Sequence, residues 1–134
     1  MPSIIDIEGI GEVFAKKLKA AAIATTEALL EAGATPKGRK DLAAKAGIAE
    51  EKILEWVNRA DLYRIKGVGS EYSDLLEAAG VDTVVELAKR VPAHLLEKMT
   101  EVNVAKKLVR RLPVESQVKD WVDQAKALPR KVSY

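Results

Sequence analysis

Apolar residues recur along this chain at intervals of three and four. Val13, Phe14 or Ala15, and Leu18 form one stripe, and Tyr72, Leu75, Leu76 and Ala79 another. Ile53, Trp56, Val57 and Ala60 make a third, and Val118, Trp121, Val122, Ala125 and Leu128 a fourth. This is the period of an amphipathic α-helix, and no stretch alternates with the period of a strand. The stripes predict helices over 12–21 and 70–79 among others. Local punctuation agrees. Thr35 before Pro36 reads as an N-cap followed by proline at the first helical position, and Pro92 as a second proline start. Thr83 with Glu86 predicts a capping box, and Gly33 and Gly47 read as stops. Gly80 falls where a left-handed C-terminal cap is expected, but its counterpart Ala22 must strain that cap or change its form.

That counterpart exists because the chain repeats itself. "IEGIGEVFAKKLKAAAIATTEALL" aligns without gaps to "IKGVGSEYSDLLEAAGVDTVVELA", 58 positions later. Gly9 meets Gly67, Gly11 meets Gly69, Phe14 meets Tyr72, Leu18 meets Leu76, Thr25 meets Thr83 and Leu29 meets Leu87. Trp56 meets Trp121 at an offset of 65, so the second copy has gained about seven residues before its Trp helix. Two copies of one helical unit are expected, 1–62 and 63–134, packed as one compact unit.

Each copy has the same frame around a Gly-apolar-Gly triplet. Ile4, Ile7, Gly9-Ile10-Gly11, Ala15 and Leu18 fill it first, then Leu62, Ile65, Gly67-Val68-Gly69, Ser73 and Leu76. A first glycine allows a positive φ that ends one helix. The apolar residue tucks beneath the turn, and the second glycine is expected to admit the next helix without a Cβ clash. The N–H groups left unpaired at that helix start form a ready site for a phosphate. The alternative is that both turns are only packing corners.

This pattern resembles the helix-hairpin-helix motif. With "LAAKAGI", "ILEWVNRADLYRIKGVG" and "YSDLLEAAGVDTVVELA", essentially the whole chain is similar to a mainly bacterial family known only as a domain of unknown function with helix-hairpin-helix character. The resemblance implies an all-α fold of two fused repeats, a SAM/helix-hairpin-helix-like bundle. It also implies sequence-independent DNA binding, with backbone amides on phosphates and a nearby Lys or Arg. Carried over, the amides are those of Gly9, Gly11, Glu12 and Val13 in the first turn, and of Gly67, Gly69, Ser70 and Glu71 in the second. Lys16, Lys17 and Lys66 are the nearest cations. Glu8, Glu12, Glu71 and Asp74 depart from the basic character of DNA-binding hairpins, and carboxylates at a helix N-terminus repel phosphate. The second hairpin is therefore the better candidate.

Charge adds a further site. Residues 1–62 hold 9 Lys/Arg against 10 Asp/Glu, whereas residues 63–134 hold 13 against 10, so a polyanion surface belongs in the second half. "KKLVRR" puts Lys106, Lys107, Arg110 and Arg111 at helical spacing with no acidic residue between 102 and 114. A basic helix is expected there, with Val104, Leu108, Val109 and Leu112 on its other side. The alternative is an ordinary solvated face.

Other chemistry is thin. Cysteine is absent, which excludes disulfides and thiol nucleophiles and suits a reducing compartment. His94 is the only histidine, so no metal site is expected, and no Ser/His/Asp set is evident. Some glycosylases share the hairpin and add a catalytic Asp and a nucleophilic Lys, but the surroundings of Asp74 and Lys66 do not reproduce that pattern. Trp56 and Trp121 read as core anchors. The opening residues lack the pattern of a secretory signal, and no apolar run approaches the roughly 20 residues of a membrane span. The expectation is a cytoplasmic, non-enzymatic DNA-binding or DNA-associated protein with no cofactor, small-molecule substrate or membrane contact. The second reading is a protein-interaction module.

Overall fold

The computed structural model describes residues 3–7 and 9–134, and all its regular structure is helical. A 3₁₀ turn at Ile4–Asp6 precedes α1 (Glu12–Ala20), α2 (Thr26–Gly33), α3 (Pro36–Ala46) and α4 (Glu50–Leu62). Then come α5 (Ser70–Ala78), α6 (Val84–Ala88), α7 (Pro92–Lys106) and α8 (Glu115–Ala127). The described residues contain no strand, only an isolated antiparallel bridge between Ser3 and Thr25. No helix among them is long and apolar enough to cross a membrane.

The chain divides into two compact units, Met1–Asp61 with Lys131–Tyr134, and Leu62–Arg130. The first buries Ile4, Ile7, Ile10, Leu18, Leu29, Ile53, Trp56 and Val57. In the second, α8 packs on α6 and α7, and α5 on α7, around Leu62, Ile65, Val68, Leu76, Leu87, Val118, Trp121 and Val122. These two sets are the same positions of the repeated frame. Burying so many aligned side chains in each unit is the main source of its stability, since apolar area removed from water contributes about 25 cal/mol per Å².

Helix ends follow the local chemistry. Thr25, Thr35 and Thr83 each accept a backbone N–H three residues on, at 3.1, 3.0 and 3.2 Å. The capping box expected at Thr83 is only half made, because the Glu86 carboxylate turns to Arg90 instead, at 3.2 Å from Nε and 3.1 Å from Nη2. Gly80 caps α5 with φ +94°, and Ala22 adopts φ +68° at the same place after α1. Both ends close alike, with Ile23 N–H on the Leu18 carbonyl and Val81 N–H on the Leu76 carbonyl, each at 2.8 Å. The cap keeps its form at Ala22 and carries the strain of a Cβ in the left-handed region. Val13 is 68% exposed, so the α1 stripe runs through Phe14, Ala15 and Leu18 without it.

The additional length of the second unit is spread over two elements. Helix α7 has 15 residues against 11 in α3. The connection that follows occupies 107–114, where 47–49 suffices in the first unit. Gly47 and Lys107 are corresponding left-handed caps, with φ +69° and +51°.

Candidate functional site

The two Gly-apolar-Gly turns are built alike. In the first, Ile7 N–H reaches the Ile4 carbonyl and Ile10 N–H the Ile7 carbonyl, both at 3.1 Å. In the second, Ile65 N–H reaches the Leu62 carbonyl at 3.1 Å and Val68 N–H the Ile65 carbonyl at 3.2 Å. Ile10 and Val68 are buried beneath their turns. Gly9 and Gly67 have φ +92° and +94°, so the left-handed backbone requires them. A tryptophan indole approaches each. A Cβ on Gly9 would lie 3.4 Å from Trp56 Nε1, and one on Gly67 would lie 3.0 Å from Trp121 Nε1. The indoles pack in turn against Phe14 and Tyr72, tilted by 60° and 51°, each pair with ring centroids 5.1 Å apart. Trp56 and Trp121 are core anchors, as their spacing predicts.

The second glycines are different. Gly11 and Gly69 have φ −85° and −103°, ordinary extended backbone, and a Cβ on either would meet nothing within 4 Å. This corrects the expectation that they avert a clash. They are the N-caps of α1 and α5, and neither helix start has a side-chain cap. The N–H groups of Glu12 and Val13, and of Ser70 and Glu71, therefore begin helices whose caps offer no side-chain acceptor. Glu12 and Glu71 lie in those first turns, as the sequence requires. Glu8 lies outside the described residues.

Around the second turn, side chains fix the backbone. Gln124 on α8 accepts the Lys66 N–H at 2.8 Å and donates to the Lys66 carbonyl at 3.1 Å, leaving the Lys66 side chain exposed. The Ser70 carbonyl accepts the buried Ser73 hydroxyl at 2.9 Å. Around the first turn, Lys16 is exposed on α1, whereas the Lys17 ammonium sits over Phe14, 5.8 Å from the ring centroid, with Lys52 also over that ring at 5.5 Å.

The expected basic helix is absent. Helix α7 stops at Lys106, and Lys107 turns left-handed with its N–H on the Asn103 carbonyl. From there the Asn103 side chain takes over, donating to the Val109 carbonyl at 3.1 Å and accepting the Val109 N–H at 3.0 Å. A side-chain amide thus satisfies backbone groups that a continuing helix would have used. Pro113 further biases Leu112 toward extended backbone. Val109 is buried, Leu108 and Leu112 pack on the core, and Val104 is 75% exposed, so the apolar face expected of a helix does not form. Lys106, Lys107, Arg110 and Arg111 are all exposed, but on an irregular loop and the helix end before it.

That loop reaches the second turn. The Tyr72 hydroxyl, in the first turn of α5, donates to the Arg111 carbonyl at 3.1 Å. The backbone at Arg111 is thereby tied to the helix that Gly69 caps. In the sequence Tyr72 reads as a core position flanking the second hairpin, and Gln124 has no evident role. The signal for Tyr72 is its alignment with Phe14: a hydroxyl appears only in the copy with the longer connection. Asn103 and Gln124 have no such signal.

Among the described residues, no group of three or more His, Asp or Glu could hold a metal ion. A family model described as "Domain of unknown function (DUF4332)" matches residues 8–128. No curated protein matches the chain, and no solved structure does.

Proposed function

The chain belongs to this family of unknown function, and from that premise we propose a non-enzymatic protein of two helix-hairpin-helix units that binds DNA without regard to sequence. The second unit supplies the binding face. Amides of Gly69, Ser70 and Glu71 receive one phosphate, and Lys66, Lys106, Lys107, Arg110 and Arg111 neutralise its neighbours. Contacts of this kind position a polyanion and carry no base information.

One observation supports the reading: the Tyr72 hydroxyl, three residues after Gly69, donates to the backbone carbonyl of Arg111 in the segment that holds the densest run of cations, and the second glycine of that turn has no packing duty. A glycine without internal need at an exposed helix start permits close approach of a ligand to backbone. The first unit lacks that loop, its Phe14 has no hydroxyl, and its Lys17 is engaged over the Phe14 ring. Gly9, Gly11, Lys16 and Lys17 are accordingly secondary to the second-unit face.

Titration of a fluorescent oligonucleotide with the protein, beginning at about 50 mM salt, tests this. Affinity should be insensitive to sequence and should fall steeply with salt. Reversing Lys106, Lys107, Arg110 and Arg111 to Glu should lower the slope of log affinity on log salt by about 3, at roughly 0.7 to 0.9 for each lost phosphate contact. No binding at low salt would sink the proposal.

A further inference from the structure

Helix α7 turns a second apolar strip away from the core. Leu95 and Met99 are buried, whereas Ala93, Thr100 and Val104 are exposed and Leu96 is half-buried with its base packed on the core. Intervals of three, four and four residues put these last four on one face of the helix. The Thr100 hydroxyl donates to the Leu96 carbonyl at 2.8 Å, so it is spent within the helix and the strip stays apolar. With Glu97 and Glu101, the side chains of Ala93, Leu96 and Thr100 line an open groove of about 580 Å³. The two carboxylates stand one turn apart along one edge, both exposed, and neither forms an ion pair among the described residues. Lys98 is exposed further round the helix and pairs with neither.

The internal repeat supplies a control. Helices α3 and α7 both begin on a proline, Pro36 and Pro92. Counted from those prolines, the exposed Lys37, Lys40 and Lys45 of α3 are replaced by Ala93, Leu96 and Glu101 in α7. The first unit thus folds with a cationic, solvated face at this place, and packing does not demand an apolar and acidic one. The acidic sign also runs against the surrounding sequence, since residues 63–134 hold 13 Lys/Arg against 10 Asp/Glu.

We propose that this groove seats an amphipathic helix of a partner protein, with apolar side chains at intervals of three and four and Lys or Arg along the edge that meets Glu97 and Glu101. The middle of α7 spends its backbone groups on its own helical ladder, so an added strand finds no main-chain partner there. A helix arrives with its backbone already paired and needs only side-chain packing. The strip from Ala93 to Val104 extends about 16 Å, which matches roughly three turns of such a partner. Its carboxylates favour cations and repel nucleic acid, so the inference stands without the DNA reading.

The chain has no cysteine, so Val104→Cys gives the full-length protein a single attachment point for a fluorophore at the end of the strip. The probe is a synthetic helix of about 18 residues, roughly five turns, with leucines at intervals of three and four and lysines beside them. Emission should shift and saturate as this peptide is added, and affinity should fall as salt rises. The same peptide with glutamate in place of lysine should bind at least about tenfold more weakly. In the labelled protein, Leu96→Lys should lower affinity for the lysine peptide at least about tenfold, and Glu97→Gln with Glu101→Gln about fivefold. If Leu96→Lys does not fold, Ala93→Lys, at an exposed position, takes its place. No response to the lysine peptide overturns the proposal, as does an equal response to both peptides or binding that ignores the substitutions. A shift caused by an oligonucleotide, or by unlabelled protein alone, assigns the groove to nucleic acid or to a second copy and overturns it too.

Discussion

Gly67 and Gly69 sit two residues apart and have opposite claims on the fold. Gly67→Ala should cost about 2–3 kcal/mol, from a Cβ at positive φ and a contact of 3.0 Å with Trp121, read as a lower urea midpoint. Gly69→Ala should cost under about 1 kcal/mol, the difference between glycine and alanine as N-caps. Under the proposed function, the same methyl group blocks the phosphate, and oligonucleotide affinity should drop about tenfold. A Gly69→Ala protein with wild-type affinity would return that turn to being a corner. Ala22 and Gly80 make a reciprocal pair. Ala22→Gly should leave stability unchanged or raise it by up to about 1 kcal/mol, whereas Gly80→Ala should lower it by about 1 kcal/mol or more, its Cβ falling 3.2 Å from Arg90 Nη2. The need for Gly67 and the strain at Ala22 were legible because both follow from backbone sterics. The freedom of Gly69 was not, since empty space around a residue has no sequence signature.

At the scale of elements, the threonine caps are legible in the sequence and the end of α7 is not. Lys106 to Arg111 has helical spacing, apolar partners and good helix formers, yet α7 stops at the first residue of that run. The decision rests with Asn103, whose side chain captures both backbone groups of Val109. Such a bond spans six residues and accompanies the burial of Val109 in the core. Asn103→Ala should therefore cost about 1–3 kcal/mol, the range for stranding buried polar groups, and should speed amide exchange through 107–112. Tyr72→Phe makes a gentler probe. It keeps the tilted ring contact with Trp121 and should cost about 0.5–1.5 kcal/mol for one hydrogen bond. If the loop must be held beside the turn to bind DNA, affinity should fall severalfold while the melting temperature drops by only a few degrees.

At the scale of the molecule, each compact unit contains one tryptophan, so the two can be followed separately. In the Trp121→Phe background, Trp56 fluorescence should report a lower denaturation midpoint when Val132 becomes Asp, because Val132 is buried in the unit that Trp56 anchors. In the Trp56→Phe background, Trp121 should register a smaller change. The return of Lys131–Tyr134 to the first unit is hidden in the sequence, because four residues with one buried side chain have no periodicity to read. That return bears on the order of events during synthesis. Domains ordinarily fold as they emerge, the N-terminal one first. Here the unit that leaves the ribosome first gains the burial of Val132 only after the second unit has been synthesised.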